Sequence, residues 1–248
     1  MIAKVVLAIT AFAGAAYAAT DETVTATSLV VPSINDKDGI GAGTDSYTFY
    51  QGDGTAADGW PSIDDWVSFR EMFEANTVSM LIGCDQYGVA GDSMDEIDDI
   101  KTAIDAIAAE TYVDHRFILA VIMQESTGCV RVPSSIGSVT NPGLMQDHEG
   151  ASTCNDGTTV HNPCPESKIE GMISEGTAGT ETGDGLANCL NEANATGAEA
   201  FYRAARIYNS GSVHASGDLG VGLGTPCYAS DIANRLTGWV TATSSCTL

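Results

Sequence analysis

"HRFILAVIMQES", His115 to Ser126, is the stretch that decides the fold. From Phe117 to Met123 it carries no polar side chain. Asp114 stands before it as an N-cap, and Gly128 after it suits the left-handed stop that ends helices. A helix apolar nearly all round belongs at the centre of a domain rather than on its surface. This one closes on a carboxylate, Glu125. Burial and the partly negative carbonyl end of the helix both disfavour the ionised form, so the proton is expected to stay on Glu125. A retained proton is what a general acid delivers to a leaving oxygen. On the helix alone, a structural glutamate leaving to solvent at its end is the favoured reading.

Upstream, "PSIDDWVSFREMFEANTVSML" reads as an N-capped amphipathic helix with Trp66, Phe69 and Phe73 at helical spacing. "DSMDEIDDIKTAIDAIAAET" reads as another, its Ile97, Ile100, Ile104 and Ile107 forming one apolar stripe. Residues 129–185 read mostly as loop with a short helical piece, "ESKIEGMI". Three later segments, "GLANCLNEA", "AEAFYRAARIYN" and "ASDIANRLTGWV", read as helices. The expected class is mainly α. Residues 19–60, rich in Thr, Ser, Gly and Asp, form a loop-rich N-terminal extension in which "TATSLVV" and "SYTFY" suggest a small hairpin. Trp60, Tyr47 and Tyr50 within it could stack on sugars, although aromatic residues more often fill cores. "INDKDGIGAGTD" has Ile34 where a calcium loop needs its first acid, so it reads as a solvated turn.

The opening "MIAKVVLAITAFAGAAYA" has one lysine, a short apolar run and a small-residue ending, the pattern of a secretory signal cleaved after Ala18. The domain boundaries expected are therefore 1–18, 19–60 and 61–248. With 10 Lys and Arg against 33 Asp and Glu, the formal charge of −23 excludes nucleic acid and anionic membranes as partners. It also argues for an acidic working medium. The 7 cysteines of an exported chain point to three disulfides and one thiol, with Cys154–Cys164 the simplest local pair and the rest of the connectivity open. No CxxC or HxxxH spacing supports zinc, so no metal or cofactor is expected. Asn194 opens a single N-glycosylation sequon. A secreted, extracellular monomer is expected.

Two further pieces bear on Glu125. "NPGLMQ", Asn141 to Gln146, supplies a turn with a close-approach glycine followed by a long amide, and "RIYNSG", Arg206 to Gly211, ends a helix with a phenol, an asparagine and a glycine. In order, Glu125-Ser126, Gly143-Leu144-Met145-Gln146 and Ile207-Tyr208-Asn209 resemble the signature of the lytic transglycosylase and goose-type lysozyme family, glycoside hydrolase family 23. The one departure is isoleucine for alanine before the tyrosine. The resemblance spans roughly residues 94–240, and "GDGTAADGWPS", "RFILAVIMQES" and "CYASDIANRLTGW" are similar to a branch of secreted fungal lysozyme-like proteins. It implies a lysozyme-like α+β domain with a groove for a β-1,4-linked amino-sugar chain. Glu125 would protonate the glycosidic oxygen. Gln146 and Tyr208 would hold the sugar, Asn209 would position the tyrosine turn and Met145 would form a groove wall. Ser126, Gly143 and Leu144 would complete the substrate site.

Glycosidases commonly use two carboxylates. Between Glu125 and Gln146 there is none, and where the family has its aspartate this chain has His148. Asp147 and Glu149 flank that position and read as solvated loop charges. A missing base fits lytic transglycosylation, in which the substrate's N-acetyl group assists and the muramyl 6-hydroxyl attacks C1. It also fits substrate-assisted hydrolysis. The expected substrate is therefore a polysaccharide, peptidoglycan ahead of chitin. A non-catalytic wall-binding protein is the rival, and loss of Glu125 would have been its sign.

Overall fold

The computed structural model describes residues 22–247, so the expected signal segment lies outside the described residues. Those residues are mainly helical. In chain order the elements are α1 (Phe69–Gly83), α2 (Met94–Thr111), α3 (His115–Glu125), the strands β1 (Ser135–Ile136) and β2 (Thr140–Asn141), α4 (Glu166–Ala178), α5 (Leu186–Glu192), α6 (Gly197–Ser210) and α7 (Tyr228–Leu236). The two strands pair antiparallel, Ser135 opposite Asn141 and Ile136 opposite Thr140.

α3 is the axle of the domain. Asp114 caps it by accepting the Arg116 N–H at 2.9 Å, and every residue from His115 to Met123 is buried. It packs against α1, α2 and α7, and α7 in turn packs on α6. Each large apolar side chain so enclosed contributes about 1.5–3 kcal/mol relative to exposure, which makes this helix the main anchor of the core. α2 begins with a capping box: the Ser93 hydroxyl accepts the Glu96 N–H, and the Glu96 carboxylate accepts the Ser93 N–H. Its four-isoleucine stripe is buried as the spacing predicts.

Just past Glu125 the chain turns sharply. The Ser126 N–H and hydroxyl both donate to the Ile122 carbonyl at 3.0 Å, and Gly128 adopts φ +76. A Cβ on Gly128 would lie 2.6 Å from Met80 Cγ, so both conformation and space demand glycine there. Cys129 then bonds to Cys84 at the end of α1. By loop-closure entropy this bridge restricts the unfolded chain by about 4 kcal/mol. Cys154–Cys164 forms as expected, Cys227–Cys246 ties the C-terminal tail to the start of α7, and Cys189 is the buried free thiol.

Arg131, two residues on, is wholly buried. Its guanidinium bonds to Glu96 and Asp92, to the Asn162 side chain at 3.1 Å and to the His161 carbonyl at 2.9 Å. One cation therefore fastens the loop after α3, the start of α2 and the segment leading into α4.

Three expectations on the elements are corrected. "TATSLVV" and "SYTFY" form no strands; the Val24 and Val31 N–H groups bond instead to the carbonyls of Thr111 and Tyr112 at the end of α2, and Tyr47 donates to Asp231 of α7 at 2.6 Å. α1 begins at Phe69 rather than near Ser62. Backbone groups of residues 66–68 are spent on Ile40, Gly41 and Leu236, which holds that stretch extended after a single turn at Ile63–Asp65. α4 runs beyond Ile173 to Ala178, because Gly176 admits Met145 against the helix: a Cβ there would meet Met145 Cβ at 2.5 Å. The N-terminal extension shares the main core through Val24, Leu29 and Trp60. Trp60 stacks between Tyr50 and Tyr202 and is 4% exposed, so it packs the interior rather than a sugar. Among the described residues no helix is long and apolar enough to cross a membrane.

Candidate active site

Glu125, the last residue of α3, opens into a cleft of about 600 Å³. One wall is the β1–β2 hairpin with Gln146. Another is the end of α6 with Tyr208 and Asn209, and the glycine-rich loop before α7 supplies Leu223 and Gly224. The helix that buries the core thus delivers one carboxyl group to a groove walled by a hairpin, a helix end and a glycine-rich loop.

The Glu125 side chain is partly buried, and desolvation pushes its pKa up from 4.5 to about 7. The opposing influence is a hydrogen bond from the Tyr228 hydroxyl to Oε1 at 2.5 Å. Tyr228 is the first residue of α7 and is 3% exposed, so this phenol has no aqueous partner and serves to orient the acid. The sequence does carry a signal for Tyr228. It continues the buried stripe Ile232 and Leu236 of an amphipathic helix, and a phenol in such a stripe needs a polar partner.

The turn of Gly143 to Gln146 is built as its glycine predicts. Gly143 has φ +76, and a Cβ there would come within 2.7 Å of Met172 Cγ. The Gln146 N–H closes the turn onto the Gly143 carbonyl at 3.0 Å. The Gln146 side chain lines the cleft, but its amide is committed to backbone. Its Nε2 donates to the carbonyls of Gly143 and Pro133, and its Oε1 accepts the Ser135 N–H at 3.1 Å. These bonds make it part of the hairpin wall. Leu144 and Met145 are fully buried, Met145 against Gly176 and Thr177, so neither is a groove wall. Ser126 is likewise buried and caps α3 instead of facing substrate.

Tyr208 lines the cleft and donates its hydroxyl to the Met145 carbonyl at 2.9 Å, which locks α6 onto the turn. Burial raises its pKa well above 10, so it remains a neutral phenol. Asn209 accepts the Thr225 N–H at 2.8 Å and so anchors the glycine-rich loop. Glu125, Gln146, Tyr208 and Asn209 all line this one cleft.

Asp147 is a second correction. It is 3% exposed rather than solvated, and both its carboxyl oxygens lack a hydrogen-bond partner. Burial and the neighbouring Glu175 carboxyl group push its pKa well above the ordinary carboxylate value, which disfavours the charged form that a water-activating base needs. Glu149 is exposed and accepts the Thr182 hydroxyl at 2.8 Å. Apart from Glu125, the carboxylate that lines the cleft is Asp184, on the loop between α4 and α5. It lies in a Gly- and Thr-rich stretch that gave no sequence cue. Elsewhere, Asp38, Asp114 and His115 bring ligand-type atoms within 4.8 Å of one another, but Arg116 already bonds both carboxylates, so ion pairing accounts for that cluster.

No protein-family model and no curated protein matches the chain.

Proposed function

We propose that the protein is a secreted glycosidase that cleaves β-1,4 linkages in N-acetylamino-sugar polymers, with Glu125 as general acid. The observation that carries this reading is the carboxyl group of Glu125, its pKa pushed up to about 7 by burial, held by Tyr228 and lining a cleft of about 600 Å³. The ordered resemblance to glycoside hydrolase family 23, and with it a lysozyme-like arrangement of the helices around α3, supports the same conclusion. Three disulfides fit an oxidising, extracellular setting.

In the proposed reaction the Glu125 proton passes to the glycosidic oxygen as the C1–O bond breaks. The substrate's own N-acetyl oxygen bonds to C1 from the other face. Water or a sugar 6-hydroxyl then attacks C1, expels the acetamido oxygen and returns a proton to Glu125. Asp184 is the candidate to assist a water; without such help the intramolecular route to a 1,6-anhydro end prevails. The protein acts as a monomer on a polysaccharide and needs no cofactor.

Mass spectrometry of peptidoglycan and chitin-oligomer digests tests the reading. Anhydro ends identify transglycosylation and reducing ends identify hydrolysis. Absence of product from both polymers refutes the proposal and favours a wall-binding protein. Glu125→Gln is expected to abolish cleavage while leaving the fold intact.

A further inference from the structure

The cleft has a charge character that bears on which amino-sugar polymer enters it. We infer that it takes an uncharged chain of β-1,4-linked N-acetylglucosamine in preference to a chain bearing carboxylates, such as the lactyl groups of peptidoglycan. This inference rests on the glycosidase reading above and decides between its two substrates.

The first observation is the lining. Ser135, Ser138, Asn141, Thr182, Asn209 and Ser210 offer hydroxyls and amides suited to sugar hydroxyls and acetamido groups. No lysine or arginine is among the lining residues. The carboxyl groups facing the space are Glu125 and Asp184, and the single basic side chain is the exposed imidazole of His148 on the rim. Recognition of a carboxylate ordinarily uses an arginine fork or a lysine, and this groove supplies neither.

The second observation is independent of the first and concerns where the chain's cations have gone. Of the nine lysines and arginines in the described region, five pair with carboxylates. Arg206, on the cleft-forming α6, points instead at the Leu223 and Thr225 carbonyls and braces the glycine-rich loop from within. Lys168 donates to the Thr153 carbonyl, and Arg235 donates to the Gln124 amide oxygen while lying over the Trp239 ring. Lys37 stays exposed on the N-terminal extension. A surface this acidic, with eight of those nine cations already held by carboxylates, carbonyls or an amide oxygen, repels an anionic polymer over distances of about a Debye length, roughly 10 Å at 0.1 M salt. An uncharged chain meets no such barrier.

The test compares kcat/KM for two stem-free hexamers at about pH 7. One contains only N-acetylglucosamine; the other alternates it with N-acetylmuramic acid. A third substrate carries the muramyl carboxylates as methyl esters. At low salt the uncharged hexamer is expected to be favoured about ten-fold over the carboxylate form. The gap should shrink in high salt and on esterification. Ser138→Lys, which adds a cation to the rim at an exposed position, should narrow it several-fold. Equal or better cleavage of the carboxylate form at low salt overturns the inference, as does a preference unmoved by salt and ester. If wild type cuts neither hexamer, the glycosidase reading itself fails. Calorimetric binding of the same hexamers to Glu125→Gln then still decides the charge preference.

Discussion

Tyr228→Phe removes one oxygen from the protein and one hydrogen bond from the acid. That hydroxyl donates to Glu125 at 2.5 Å and is the influence that holds the pKa down against burial, which has raised it to about 7. A hydrogen bond to a charged acceptor contributes about 1.5–3 kcal/mol net, and roughly half of it survives when the acceptor becomes a neutral acid. The remaining difference of about 0.8–1.5 kcal/mol corresponds to between about half a pKa unit and one unit. In the proposed reaction the protonated form is the active one, so activity should fall as pH rises through the Glu125 pKa. In Tyr228→Phe the falling limb of kcat/KM should therefore move up from about pH 7 by between about half a unit and one unit. Its plateau should drop about ten-fold as the carboxyl loses its fixed orientation. The assay is initial-rate cleavage of a soluble amino-sugar hexamer across that range, with circular dichroism to verify folding. A limb that stays in place or moves downward refutes the assignment of Tyr228 to the acid.

Glu125→Gln should be more stable than wild type above neutral pH. The folded acid keeps a proton that the unfolded chain releases above about 4.5, so wild type loses stability between there and about 7, an effect of about 2 kcal/mol after allowance for partial exposure. Urea titrations at pH 5 and pH 8 check it, and an equal difference at the two values would contradict the linkage. Asp147 is raised by the same cause and adds loss of stability in the same direction, whereas Asp45, lowered to about 2 by backbone N–H groups, keeps its contribution until strong acid. The melting temperature should accordingly peak in mildly acidic buffer, and a peak above neutral in a pH scan would contradict this. Arg131→Ala leaves Glu96 and Asp92 buried without their cation and should cost about 3–5 kcal/mol by chemical denaturation. Gly143→Ala places a methyl 2.7 Å from Met172 Cγ at φ +76; a loss of about 2–4 kcal/mol and weakened cleavage are expected in the same two assays.

The central helix was legible because burial on every side writes itself as an unbroken apolar run, and its cap and glycine stop are local chemistry. The isoleucine stripe of α2 and the left-handed Gly143 were legible for the same reason. Trp66 misled because an aromatic residue at helical spacing looks the same whether its backbone is helical or extended. Long-range pairing with Ile40 and Leu236 decided the matter. Met145 and Leu144 misled because motif order does not say which side of a turn faces the groove. Arg131 and Tyr228 each act through partners more than 30 residues away in sequence, and Asp184 reaches the cleft only because the fold brings its loop there, so no window of sequence contains both ends of such a contact.

Enclosure of α3 on all sides has a consequence for how this scaffold tolerates change. Drift in the axle must be compensated by repacking neighbours on several elements at once, which rarely happens in single steps. The tips at Ile136 and Leu223, 85% and 81% exposed, answer to no such constraint. Libraries meant to alter polymer choice or chain-length preference belong in those two tips, with the proton-bearing rod left untouched.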